Sequence, residues 1–172
     1  MKKGTKLFIL IGPPEAGKMV LAEALAKTYG NKIELMPRLT NKPPNMINRS
    51  AGYVRRVTPT TLKRHFQDGR LILTRENEYM SGFDRERLDR LLQKKHVVIV
   101  TDEDGVRELK SQTNDDGRPK YRIFVIRVVL RKKETDSNPP PSDLTVDMEI
   151  LTGFGPDWAV HELSRHLPRL IA

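Results

Sequence analysis

Three runs of almost uninterrupted apolar residues constrain this chain more than any other feature. They are Leu7-Phe8-Ile9-Leu10-Ile11, Val97-Val98-Ile99-Val100, and Ile123 to Leu130 with only Arg127 inside it. A strand with one face in water alternates apolar and polar side chains, whereas a strand buried on both faces carries an unbroken run. The segments between the runs have a helical period instead. Leu21, Ala24, Leu25 and Thr28 share one helix face, and Tyr29-Gly30 ends that helix. Thr58 is an N-cap and Pro59 a first helical residue, with Leu62 and Phe66 one turn apart and Gly69 closing the element. Phe83 to Lys95 is predicted helical from Leu88, Leu91 and Leu92, and a last helix from Pro156 buries Ala159, Val160, Leu163, Leu167 and Leu170. Ile33 to Met36 and Leu71-Ile72-Leu73 are short strands. Pro37 to Arg49 reads as loop, and Ser111 to Pro119 and Glu134 to Asp143 read as disordered loops. Buried strands separated by helices imply an α/β fold, a parallel sheet covered by helices on both faces. The 172 residues suit a single domain with no linker.

Composition removes several chemistries. There is no cysteine, hence no disulfide framework, thiolate zinc site or catalytic thiol. His65, His96, His161 and His166 show no ligand spacing, so no metal site is expected from them. No apolar stretch approaches the roughly 18 residues of a membrane span, and no leader is visible; a cytoplasmic protein is the expectation. The net charge of +9 and a pI near 9.9 suit a polyanionic partner without choosing one.

The motif between the first strand and first helix does choose. Gly12-Pro13-Pro14-Glu15-Ala16-Gly17-Lys18-Met19 matches Gly-x-x-x-x-Gly-Lys, the phosphate-binding P-loop, in all but its last position. The glycines let the backbone wrap so that N–H groups converge on phosphate oxygens, and the helix adds its positive dipole end. Lys18 then neutralises the outer phosphates. Gly12, Pro13, Glu15, Ala16, Gly17, Lys18 and Met19 are thus the candidate nucleotide-phosphate residues. Met19 stands where Ser or Thr offers a hydroxyl to magnesium, and a thioether has no oxygen for a hard cation. Weak ATP binding with doubtful use of magnesium is the expectation.

Further pieces follow in order. Leu39-Thr40-Asn41-Lys42-Pro43-Pro44, Tyr53-Val54-Arg55-Arg56-Val57-Thr58, Phe66-Gln67-Asp68-Gly69-Arg70-Leu71-Ile72-Leu73, Asn77-Glu78-Tyr79-Met80-Ser81-Gly82, Val98-Ile99-Val100-Thr101-Asp102-Glu103-Asp104-Gly105 and Met148-Glu149-Ile150-Leu151 resemble successive segments of guanylate kinases. The resemblance implies a P-loop NTPase fold. Its core would comprise about residues 1–36 and 84–172, and a small acceptor-binding insertion of strands and a helix would span about 37–83. Carried across residue by residue, the family's acceptor chemistry is depleted. Its GMP-phosphate arginines fall on Asn41 and Pro44, its guanine-reading glutamate on Leu73, and its first Asp-x-Asp carboxylate on Val100. Lys18 and Asp102 remain as catalytic candidates. Arg38, Arg49, Tyr53, Arg55, Arg56, Tyr79 and Ser81 are the candidates for an acceptor or ligand cleft. The basic residues Arg131, Lys132 and Lys133 precede a proline-rich stretch that does not read as the family's lid helix. The triplet Asp102-Glu103-Asp104 has two readings: a magnesium-holding acid at a strand end, or acids suiting a helix N-terminus.

Each lost charged contact costs phosphoryl transfer about 2–4 kcal/mol. Two functions stay open. One is a catalytically degenerate guanylate-kinase-like domain that binds a protein partner or phosphorylated peptide, as the scaffold-type domains it resembles do. The other is an active P-loop kinase transferring phosphate from ATP to GMP or another phosphorylated small molecule. Nucleic acid is not the favoured partner on either.

Overall fold

The sheet is built where the apolar runs require it. The computed structural model describes residues 4–47, 53–130, 142–153 and 156–171. Strands β1 (Leu7–Ile11), β2 (Ile33–Leu35), β7 (His96–Val100), β8 (Ile123–Val129) and β9 (Met148–Leu151) form a five-stranded sheet in the order β2-β7-β1-β8-β9. Every pairing in it is parallel. All five residues of the central strand β1 are buried, as a strand covered on both faces must be.

Side chains alternate across that sheet, so its two faces feed two cores. Leu7, Ile9 and Ile11 join Val97, Ile99 and Val125 beneath Leu88 and Leu92 of α3 (Arg85–Leu92) and Val106 and Leu109 of α4 (Glu103–Lys110). Phe8, Leu10, Val98, Ile126 and Val128 face the other way. They pack under Leu21, Ala22 and Leu25 of α1 (Lys18–Thr28) and Ala159, Leu163 and Leu167 of α5 (Pro156–Leu170).

A second sheet carries Arg38, Arg55, Arg56 and Ser81. Strands β3 (Arg38–Thr40), β4 (Val54–Arg56), β5 (Leu71–Glu76) and β6 (Met80–Asp84) line up as β4-β3-β6-β5. Helix α2 (Pro59–Gln67) covers this sheet, and Leu39, Leu62 and Leu71 make its small core. Thr58 caps α2 by accepting from the Thr61 N–H at 3.2 Å, with Pro59 in the first turn.

Four readings from the sequence need correction. Pro37 to Arg49 is not all loop: Arg38–Thr40 is a strand and Pro44–Met46 a 3-10 turn. Only tertiary pairing with β4 and β6 makes so short a strand stable. Phe83 is not the start of a helix, because Met80–Asp84 pairs with β5; Asp84 then caps α3 by accepting from the Arg87 N–H. Thr28 is exposed and Ala22 takes its place on the buried face of α1. Ser111 to Pro119 is a folded turn rather than a disordered loop. A bridge joins Thr113 to Pro119, and the Asn114 N–H donates to the Arg118 carbonyl at 2.8 Å. Arg49, Arg131, Lys132, Lys133 and the segment from Glu134 through Pro141 lie outside the described residues. Among the described residues no helix is long and apolar enough to cross a membrane.

Candidate phosphate and acceptor site

The phosphate loop leaves β1 at its C-terminal end, where ligands of open parallel sheets bind. Gly12 has φ 142°, and a Cβ there would sit 2.1 Å from the Val128 carbonyl oxygen, so only glycine lets the loop cross β8 this closely. Pro14–Ala16 makes one 3-10 turn. Gly17, left-handed at φ 74°, is the N-cap of α1 and supplies no side-chain cap. The first-turn N–H groups of an 11-residue helix are therefore left for an anion. Lys18 is folded back over the loop, its Nζ donating to the Gly12 and Pro13 carbonyls at 2.6 Å each. Burial lowers its pKa, against the raising effect of Glu15. A recess of about 240 Å³ adjoins the loop, walled by Glu15, Ala16, Gly17, Val20, Leu130 and Thr152. Thr152 Oγ1 ties it to the loop by donating to the Ala16 carbonyl at 2.8 Å. The phosphate end of a nucleotide thus fits the residues present.

The acceptor side is different in kind. Met19 faces a cavity of about 80 Å³ shared with Leu35, Met36, Arg38, Tyr53, Val54, Phe83 and Val100. Among the described residues, Arg38 is the one charged wall of this cavity. Its Nη1 donates to Ser81 Oγ at 3.1 Å, and its guanidinium lies 4.8 Å over the Phe83 ring. Of the cleft candidates, the fold brings together Arg38, Tyr53 and Ser81. It does not bring Arg55 and Arg56, which are exposed on the edge strand β4. Nor does it bring Tyr79, which stands in the β5–β6 turn with its hydroxyl donating to Glu78 at 3.0 Å. The reason is register: β4 pairs parallel with β3 at the sheet edge, which leaves both of its arginines open to water.

Asn41, Pro44 and Leu73, where the resemblance would have put acceptor-binding side chains, have structural occupations. Asn41 Oδ1 accepts from the Met80 N–H at 3.0 Å and so pins β3 to β6. Pro44 opens the 3-10 turn. Leu73 is fully buried and has φ 52°, the single non-glycine in the left-handed region among the described residues. It sits in a bulge of β5, between the paired residues Ile72 and Arg75.

That bulge re-aims Arg75, a residue that sequence reasoning passed over. Arg75 Nη2 donates to Asp102 Oδ1 at 2.8 Å and its Nη1 lies 3.8 Å from Glu108 Oε2, while Glu108 Oε1 takes the Leu73 N–H at 2.8 Å. Nothing local distinguishes Arg75 from the chain's other arginines, and only the bulge brings it to α4. Asp102 itself caps α4, its Oδ1 accepting from the Gly105 N–H at 2.7 Å, so the helix-terminus reading of the acidic triplet describes its contacts. Burial pushes the Asp102 carboxyl up, but bonds from Arg75 and Gly105 outweigh it and hold the pKa below the ordinary value. Burial lowers Arg38, as does the nearby charge of Arg75, against the opposing pull of Asp102 and Glu108. The Arg75–Asp102 pair is partly exposed on both sides and contributes no more than about 1 kcal/mol to stability.

Magnesium, which phosphotransfer folds of this kind use, does not fit these residues. Met19 brings sulfur and methylenes into its cavity, and one Asp102 oxygen, Oδ1, is shared between a guanidinium and a helix cap. Among the described residues no group of three or more His, Asp or Glu side chains is placed to hold a metal ion.

Compared with solved structures, the chain is similar to guanylate kinase from Anaplasma phagocytophilum. The TM-score is 0.64 at 12% identity, covering 99% of this chain and 88% of that one. The fold is that of a guanylate kinase. A sugar kinase from Janibacter also matches, at TM-score 0.43 and 12% identity over 98% of this chain and 96% of that one. No family model matches the sequence, and no curated protein does. The likeness therefore concerns architecture: a P-loop core with a strand-and-helix insertion.

Proposed function

We propose that this chain is a guanylate-kinase-like module that holds a protein or phosphate-bearing ligand and has little or no GMP kinase activity. The content of the acceptor cleft carries the reading. Groups that would bind GMP phosphate and read guanine are replaced by Asn41, Pro44 and Leu73, which are engaged in strand pairing, a turn and the core. Among the described residues, the cavity of about 80 Å³ beside Met19 has Arg38 as its one charged wall. Phosphoryl transfer rests on positioning and charge neutralisation, and a cleft short of several of these groups is left with binding alone.

The residues that remain act on anions. An entering phosphate takes the first-turn N–H groups of α1 and draws the Lys18 ammonium off the Gly12 and Pro13 carbonyls. Arg38, held by Ser81 and Phe83, presents a fixed guanidinium for a second anionic group, as in phosphopeptide recognition. ATP is a weak ligand on this reading, its phosphates in the loop and its base in the recess beside Thr152.

The intact Gly12, Gly17 and Lys18 favour the second reading, an active kinase for GMP or another phosphorylated acceptor. One assay separates the two. The purified chain, given ATP, magnesium and GMP, should release no ADP beyond the GMP-free control, and calorimetry should show no GMP heat. Phosphoserine peptides should bind better than their unphosphorylated counterparts. Sustained GMP-dependent ADP release would overturn the module reading in favour of the kinase.

A further inference from the structure

Two guanidiniums from the insertion meet two carboxylates from the core at the C-terminal end of β7. Arg75 bonds Asp102 and approaches Glu108, and Arg38 lies close enough that the charges of Arg75, Asp102 and Glu108 all act on it. Charge for charge, the four cancel. A divalent cation arriving here finds no net negative charge, and one of the two Asp102 oxygens, Oδ1, already accepts from Arg75 and Gly105. Met19 closes the other approach, since the side chain that follows Lys18 on α1 has only sulfur and carbon to offer. Arg75 is the cation that stands beside Asp102. Its placement is built: the bulge at Leu73 turns β5, and Glu108 holds the Leu73 N–H so that the turn stays where it is.

We infer that Arg75 takes the place of the divalent cation beside Asp102, so that phosphate-bearing ligands bind this cleft without magnesium. The inference rests on the phosphate-binding reading above and goes beyond it by making Arg75 a specificity-determining residue. It predicts behaviour opposite to that of magnesium-dependent phosphotransferases. Free ATP carries more negative charge than its magnesium complex, so Lys18 and the first-turn N–H groups of α1, beside a cluster with no net negative charge, bind it as well or better when the metal is removed.

The test is calorimetry of the full chain with ATP as probe, in EDTA and in excess magnesium, for the wild type and Arg75→Gln. Gln keeps a donor for Asp102 and removes the charge, and circular dichroism melting checks that the variant is folded. The wild type should bind ATP at least as tightly in EDTA. Arg75→Gln should lose about tenfold in EDTA, because Asp102 then faces the ligand unneutralised, and should recover part of that loss with magnesium. A purely structural role for Arg75 would not create a magnesium dependence. Met19→Thr alone should remain magnesium-independent, because Asp102 is still taken by Arg75. Wild-type binding about tenfold tighter with magnesium overturns the inference and leaves the phosphate reading standing. Unchanged behaviour of a folded Arg75→Gln overturns the role given to Arg75. Absence of ATP binding in both buffers overturns the phosphate reading and the inference together. The wild-type comparison decides even where Arg75→Gln does not fold.

Discussion

Leu73 shows how one residue serves both stability and the site. A non-glycine residue in the left-handed region costs about 1–2 kcal/mol, and here the full burial of the side chain in the main core offsets that cost. Leu73→Ala keeps the strained backbone and loses the burial, so it should lower the unfolding free energy by about 2–5 kcal/mol, read from urea denaturation. Leu73→Glu, which restores the side chain of the resembled kinases, should not create GMP binding. The new carboxylate would point into Ile72, Phe83 and Val106 rather than into a cleft, and would unfold the chain or stay protonated. GMP binding by a folded Leu73→Glu variant would show that the position faces the acceptor. The sequence marks Leu73 as a lost functional group but does not disclose its backbone conformation, because the bulge arises from pairing with β6.

At the scale of elements, the phosphate loop depends on two glycines for different reasons. Gly12 is confined by β8, with the Val128 carbonyl 2.1 Å from where a Cβ would be. Gly17 has open space but a left-handed φ of 74°. Gly12→Ala should therefore dislodge the loop from the sheet and leave little folded protein. Gly17→Ala should stay folded and lose about 1 kcal/mol, or about 2–4 °C in Tm for a chain of this size. Equal melting temperatures for the two variants would refute this division of roles. The motif spacing was legible because the strand, glycine turn and helix are local. The exposure of Arg55 and Arg56 was not legible, because edge position and register in a sheet depend on which strand lies alongside, here β3.

At the scale of the whole molecule, His96 ties three parts of the core. It lies at the start of β7, its Nδ1 accepts from the Lys6 N–H at 3.0 Å, and it interacts with the backbone of Ile171 beyond α5. Burial lowers its pKa below 6.5, and the charges of Lys6, Lys32 and Arg122 act in the same direction against the bond at Ile171. The unfolded chain, with an ordinary His pKa near 6.5, therefore takes up a proton that the folded chain refuses. Stability should be unaffected above that pH and fall as the pH drops through it. His96→Gln should remove this limb of the Tm-against-pH curve. An unchanged curve would show that other groups set it.

The basic surface had pointed only to polyanions in general. On the function proposed above, the phosphate loop and Arg38 narrow that to a phosphate-bearing ligand, and on the further inference Arg75 and Met19 separate the cleft from a metal-assisted kinase site. The chain alone determined the buried parallel sheet, its alternation with helices, the phosphate loop and the helix cap at Thr58. Each of these depends on neighbours within a few residues, through hydrophobic period, cap chemistry or glycine conformation. Tertiary structure decided β3, β6, the bulge at Leu73 and the meeting of Arg38 and Arg75 with Asp102. The bond from Arg75 to Asp102 joins residues 27 positions apart, from the second sheet to the end of β7, and its formation depends on pairing and packing energies that no local pattern records.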